Sequence, residues 1–184
     1  MPEPVPSSSP VSSPRNVAFA ASFGVVLVAD IITKRWAESA LTLHMPNEVI
    51  GHTLRWTLTY NTGAAMSLSV GSFSRPFFSI VAIGMVVYLL VLLRQSAAHT
   101  RAVPLALGLL TAGAIGNLID RLRHTRGVVD FIDVGTATWR FWTFNVADIG
   151  VTCGAALLAL LLWREEQPVA KLQESPNPSE SLDQ

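Results

Sequence analysis

The amino-acid sequence predicts an all-α membrane protein with four transmembrane helices and a small β element in one connection. Three observations lead there. Of the residues, 50% are hydrophobic and only 14% are charged, whereas a soluble domain carries about a quarter charged residues. The mean hydropathy is +0.41. The apolar residues also gather into four runs, Val17–Ile32, Pro76–Leu93, Val103–Ile119 and Val146–Trp163. Each is about 16–18 residues long, near the length that crosses about 30 Å of hydrocarbon at about 1.5 Å per residue.

The chain opens on residues 1–15, rich in Pro and Ser, and closes on the polar stretch 164–184. Both read as disordered tails, because such composition buries too little apolar surface to offset the entropy of ordering. Between them, 16–163 reads as one membrane domain, with spans at about 17–34, 76–93, 103–121 and 146–163. The first run follows Arg15 and precedes Ala37-Glu-Ser-Ala40, which has the form of a signal-peptide cleavage site. Asp30 and Lys34 stand where a signal would stay apolar and neutral, so a retained first helix is expected.

The first connection carries the β element, at about 43–70. In it Leu54, Trp56, Leu58 and Tyr60 alternate with Arg55, Thr57 and Thr59, the period of a half-buried strand. The third connection holds Trp139, Phe141, Trp142 and Phe144, residues common at lipid–water boundaries. Four spans put these two larger connections on one side of the membrane. Lysine and arginine number eight in them against five in the tails and the short connection, which taken alone would make the larger connections cytoplasmic.

Some functions are disfavoured by composition. Basic and acidic residues balance at 13 each, leaving no basic excess for nucleic acid. No His/Cys set has metal-ligand spacing, and the single cysteine, Cys153, lies in an apolar run where it reads as a packing residue. Neither a metal nor any other cofactor is expected.

A charged side chain near the bilayer centre costs at least about 2.5–3.5 kcal/mol to insert, so the acids in and beside the spans are functional candidates. Asp30 and Lys34, four apart, share a helix face and could be a local ion pair. Asn61-Thr-Gly63-Ala-Ala65 reads as a turn allowing close backbone approach. Gly113 and Gly116 permit tight helix packing, and Asn117, Asp120 and Arg121 follow on one face, the last two readable as a structural pair. Asp130 sits among Val128, Val129, Phe131 and Ile132 without an adjacent cation, whereas Asp133 reads as solvated. Asn145 and Asp148 open the fourth span, where a carboxylate could be a simple helix cap; Gly150 and Gly154 then form a small-residue packing face. Two carboxylates in a partly dry pocket would share a proton, one acting as base toward water and the other as acid toward a carbonyl oxygen.

Taken together, Asp30–Lys34, Asn61–Ala65, Gly116-Asn-Leu-Ile-Asp-Arg121, Val128-Val-Asp-Phe-Ile132 and Phe144-Asn-Val-Ala-Asp148 occur in the order seen in bacterial lipoprotein signal peptidase, signal peptidase II. The resemblance runs from about residue 17 to 163. It implies an inner-membrane aspartic endopeptidase that cuts a diacylglyceryl prolipoprotein just before its lipidated cysteine. It also implies cytoplasmic termini, larger connections and active site at the outer face, and inhibition by globomycin-type compounds; this topology is preferred over the lysine and arginine count. Carried over, the catalytic pair falls on Asp130 and Asp148, with Asn117, Arg121 and Asn145 supporting the pair and the substrate backbone. Asp30, Lys34, Asn61 and Gly63 would shape the pocket, and the alternating strand would belong to a small extracytoplasmic sheet. Met66 stands where the family usually has phenylalanine. A monomer in contact with membrane lipids and substrate is expected. Two rival classes are an ion-coupled transporter, which would place acids at mid-span, and a non-enzymatic scaffold, whose Asp148 would tolerate replacement by Asn.

Overall fold

A computed structural model describes residues 13–63, 71–97 and 101–173. Helices α1 (Pro14–Ala40), α2 (Ser74–Gln95), α3 (Ala102–Arg123) and α4 (Val146–Gln173) are joined with strands β1 (Asn47–Ile50), β2 (Leu54–Asn61) and β3 (Val128–Val134). All four helices are long and apolar enough to cross a membrane. They overrun the apolar runs: α1 begins at Pro14 and continues to Ala40, and α4 continues past the expected end at Trp163 to Gln173. On α1 the overrun starts at Pro14, at the first helical turn, where its missing N–H would have no intrahelical partner anyway. Most of the expected tails, together with Ala64, Ala65 and Met66, lies outside the described residues.

Helix α3 is the axis of the bundle, packing against α1, α2 and α4. Small residues allow this. A Cβ on Gly154 would lie 2.9 Å from the Ala106 carbonyl and one on Gly150 would lie 2.8 Å from Val26, so α3, α4 and α1 approach at backbone distance. Lipid-facing positions are apolar and exposed, among them Ile80, Val87 and Tyr88 on α2. Cys153 is exposed, not packed as expected, because Gly150 and Gly154 take the inward stripe one position away.

The sheet has order β1-β2-β3, antiparallel throughout. Leu58 is buried on β2 as the alternation required. The third strand comes from the other large connection, outside the 43–70 region that the sequence reading assigned to the β element. Its continuous apolar run has no alternation to mark it, because the strand is covered on both faces. Val129 and Phe131 pack with Leu58 on Ala37, at the end of α1, and Trp36, Trp56 and Phe131 meet ring to ring. The sheet is thus seated on the bundle end where α1 and α3 finish and α4 starts.

Candidate active site

The site forms where β3 meets that end. On its free edge β3 pairs with the segment before α4: Phe144 N–H donates to the Ile132 carbonyl at 3.1 Å and Ile132 N–H to the Phe144 carbonyl at 2.9 Å. This pairing carries Asn145 to Asp130 and starts α4 beside it. Asn145 is the N-cap of α4. Its Oδ1 accepts the Asp148 N–H at 3.0 Å while Asp148 Oδ2 accepts the Asn145 N–H at 3.1 Å, a reciprocal capping box. The next orphan donor, Ala147 N–H, binds Asp30 Oδ1 from α1 at 2.8 Å. Asp148 is therefore a cap, as the local reading allowed, but it is also joined to groups that a cap does not need.

Those groups are amides. Asn117 Nδ2 donates to Asp148 Oδ1 at 2.8 Å, and Asn145 Nδ2 donates to Asp130 Oδ1 at 2.7 Å. The Asn145 amide also lies 3.1 Å from Asn117 Oδ1 and 3.2 Å from the Val129 carbonyl. With two hydrogens for three acceptors, it shares one of them, and the shortest contact is the one to Asp130. Asn61 also donates to Asp130, and its Oδ1 takes the Gly63 N–H at 3.0 Å. Asp130 is 2% exposed. Burial first, then the charge of Asp148, push its carboxyl up to about 7, against the Asn145 bond, the more distant Lys34 charge and the Asn61 bond.

Behind the pair, Lys34 Nζ lies 2.9 Å from Asp30 Oδ2, Asp120 Oδ2 and Asn117 Oδ1. Asp120 Oδ2 also accepts the Val129 N–H at 3.2 Å. The Asp30–Lys34 pair exists as expected but belongs to a buried network joining α1, α3, α4 and β3. The expected Asp120–Arg121 pair does not form. Asp120 turns inward to Lys34, while Arg121 donates to the carbonyls of Asn117 at 3.2 Å and Gly63 at 3.1 Å. Gly116 makes room: a Cβ there would sit 2.5 Å from Asp30 Oδ2. The partner of Asp120 lies on another helix, which chain proximity to Arg121 does not reveal; its i, i+3 relation to Asn117 is the signal in the sequence. Asp133 is not solvated. It is 5% exposed and bound by Arg140 at 2.6 Å, Arg55 at 3.2 Å and Thr57 at 2.8 Å.

Every sequence-predicted site residue among Asp30, Lys34, Asn61, Gly63, Asn117, Arg121, Asp130, Asn145 and Asp148 is thus joined to this cluster. A carboxyl that holds its proton near neutral pH beside a second, half-buried carboxylate suits acid–base attack by water on a carbonyl. Among the described residues, no three His, Cys, Asp or Glu groups are placed to hold a metal ion.

Fold and site define a polytopic membrane protein with a carboxylate pair at one end of a four-helix bundle. A family model described as signal peptidase (SPase) II matches residues 22–164, and the chain belongs to that family. Two relatives are lipoprotein signal peptidases. That of Hydrogenovibrio crunogenus is 38% identical over 157 residues, covering 82% of this chain and 90% of its own. That of Ectopseudomonas mendocina is 41% identical over 148 residues, covering 78% and 86%. A bacterial membrane enzyme solved by the in meso method at 2.3 Å superposes with a TM-score of 0.75 at 30% identity, covering 88% of this chain and 93% of that one.

Proposed function

We propose that this protein is an aspartic endopeptidase of lipoprotein maturation, removing the signal peptide of a diacylglyceryl prolipoprotein by cleavage before the lipidated cysteine. Family membership supports the substrate class, since the relatives are lipoprotein signal peptidases. The observation that carries the aspartic mechanism is the bridge by Asn145, whose amide binds Asp130 while its backbone and Oδ1 bind Asp148.

In this reading Asp148 takes a proton from water as the water oxygen attacks the scissile carbonyl carbon, and Asp130 gives its proton to the carbonyl oxygen. The tetrahedral intermediate then collapses. The C–N bond breaks, the leaving nitrogen takes the proton from Asp148, and a hydroxyl of the intermediate returns one to Asp130. Arg121 and Gly63 sit beside the pair and would hold substrate backbone. The Nε of Arg121 is buried without a partner among the described residues, a donor left for a substrate carbonyl. The placement of the acids at a bundle end, and not at mid-span, favours this over a transporter.

The protein would reside in the bacterial inner membrane with both termini cytoplasmic and the sheet and site at the outer face, acting as a monomer whose pocket globomycin-type inhibitors would fill. Cleavage of a diacylated prolipoprotein by purified protein tests the activity. An unlipidated substrate should be left intact, and cleavage lost equally in Asp130→Asn and Asp148→Asn supports the pair. For orientation, His52→Cys should react with an impermeant thiol reagent on intact spheroplasts and Gln95→Cys should not. The reverse pattern would place the site in the cytoplasm, as the lysine and arginine count suggests.

A further inference from the structure

Lys34 is 3% exposed, and its Nζ lies 2.9 Å from three oxygens, forming ion pairs with Asp30 and Asp120 and a hydrogen bond to Asn117 Oδ1. One carboxylate would suffice to neutralise a buried ammonium. Here two, Asp30 on its own helix and Asp120 on α3, hold it from different elements, and its hydrogen bond goes to Asn117 Oδ1. Lysine only donates. The Asn117 oxygen must therefore face Lys34, and its NH₂ must face Asp148, where it lies 2.8 Å from Oδ1. Were the amide turned over, its NH₂ would meet the ammonium and its oxygen the carboxylate, two repulsive contacts in place of two bonds.

We propose that Lys34 is a positioning residue for Asp148: together with the Asn145 amide, which reaches the same Asn117 oxygen at 3.1 Å, it holds the Asn117 amide so that a donor faces that carboxylate. This rests on the carboxylate pair proposed above. The groups facing the pair include the charges of Asp30 and Lys34 from α1 and of Asp120 and Arg121 from α3, with Asp130 from β3 and Asp148 from α4. Lys34 is the member of this set that binds the Asn117 oxygen.

The test uses the full chain in lipid bicelles, a diacylated prolipoprotein as probe, and rates per folded molecule. Lys34→Met combined with Asp120→Asn keeps the formal charge of the cluster, one ammonium and one carboxylate being removed together; Asp120→Asn alone is its reference. We expect kcat to fall roughly 10²-fold with KM within about threefold, the size seen when a fixed donor to a reacting group is lost. Asn117→Leu should fall similarly. All three substitutions together should lie within about threefold of Asn117→Leu alone, because Lys34 acts through that amide. Losses that multiply toward roughly 10⁴-fold, or a charge-balanced variant within about threefold of its reference, overturn the assignment. Asn117→Asp decides the matter if the Lys34 variant does not fold. It keeps an acceptor for Lys34 but loses the donor, so turnover should fall roughly 10²-fold at neutral pH and recover toward pH 5, where a protonated carboxyl again donates. Near wild-type turnover at neutral pH overturns the proposal. Asp148→Asn run alongside separates the two readings. If it turns over, the carboxylate pair is wrong, and if it is inactive while the losses multiply, only the role of Lys34 is.

Discussion

Strand β3 carries two aspartates three residues apart, Asp130 and Asp133, and the two faces of that strand treat them oppositely. An odd separation on a strand points the side chains to opposite sides. Both are nearly closed to solvent, at 2% and 5% exposure, but Asp130 lies deeper in the protein. Their partners differ as well. Asp133 meets two guanidiniums and a hydroxyl, and although burial alone would raise its carboxyl, the bonds from Arg140 and Thr57 and the charges of Arg140 and Arg55 hold it below the usual carboxylate range. Asp130, raised by burial first and then by the charge of Asp148, meets only amides as donors and rises to about 7. The first arrangement fixes a structure: Arg140 also donates to the Asp133 carbonyl at 2.8 Å and to the His52 carbonyl at 2.5 Å, pinning its loop to the sheet. The second keeps a proton available. The same residue on the same strand becomes a clamp or an acid according to how deeply it lies and whether a cation bonds it directly.

The largest expected effect breaks the contrast on the side of Asp130. Asp130→Asn and Asp148→Asn should each lower turnover by at least about 10³-fold, and the double variant should be little worse than either, because members of one catalytic unit do not add. Asp133→Asn should stay within about threefold per folded molecule, the measurement being cleavage normalised to correctly folded protein. Turnover should next fall about tenfold per pH unit above about 7, as Asp130 loses the proton it must donate, and this limb should be unmoved in Asp133→Asn.

Stability gives a smaller effect of opposite sign for the two residues. A depressed carboxyl adds stability above its unfolded value of about 3.9, lost as pH falls through its folded value. Asp133→Asn should therefore cost about 2–3 kcal/mol at pH 7 by thermal unfolding, and less in acid. For a raised carboxyl the stability is present below about 3.9 and lost as pH rises toward the folded value. Asp130→Asn should thus raise the thermal midpoint at pH 8 by a few degrees relative to wild type, a gain absent at pH 4. A lowered midpoint at pH 8 would mean that Asp130 is ionised and stabilising like Asp133. The smallest expected effect is none: chelators should leave cleavage unchanged, measured on enzyme dialysed against them, and activity restored by zinc would break the acid–base reading.

Much of this architecture was legible in the residues. The four apolar runs became four helices, and the alternation of Leu54 to Tyr60 became β2 with Leu58 buried. The site clusters did come together. Errors arose wherever a side chain had a choice of partners. Chain proximity pairs Asp120 with Arg121, yet it lies against Lys34; local composition leaves Asp133 solvated, yet Arg55 and Arg140 clamp it; an apolar run suggests a packed Cys153, yet it faces outward.

By itself, then, the sequence determined which segments cross the membrane, which strand is half buried and which carboxylates lie near span ends. Those features depend on composition and period, which are properties of the chain taken a few residues at a time. Only the tertiary structure decided that β3 closes the sheet against the start of α4, that Asn145 joins Asp130 to Asp148, and that Lys34 faces Asn117. Those contacts depend on how far one helix is rotated and slid against another. Glycines such as Gly116 and Gly154 permit that approach, but the exact fit is set by all the packed surfaces at once.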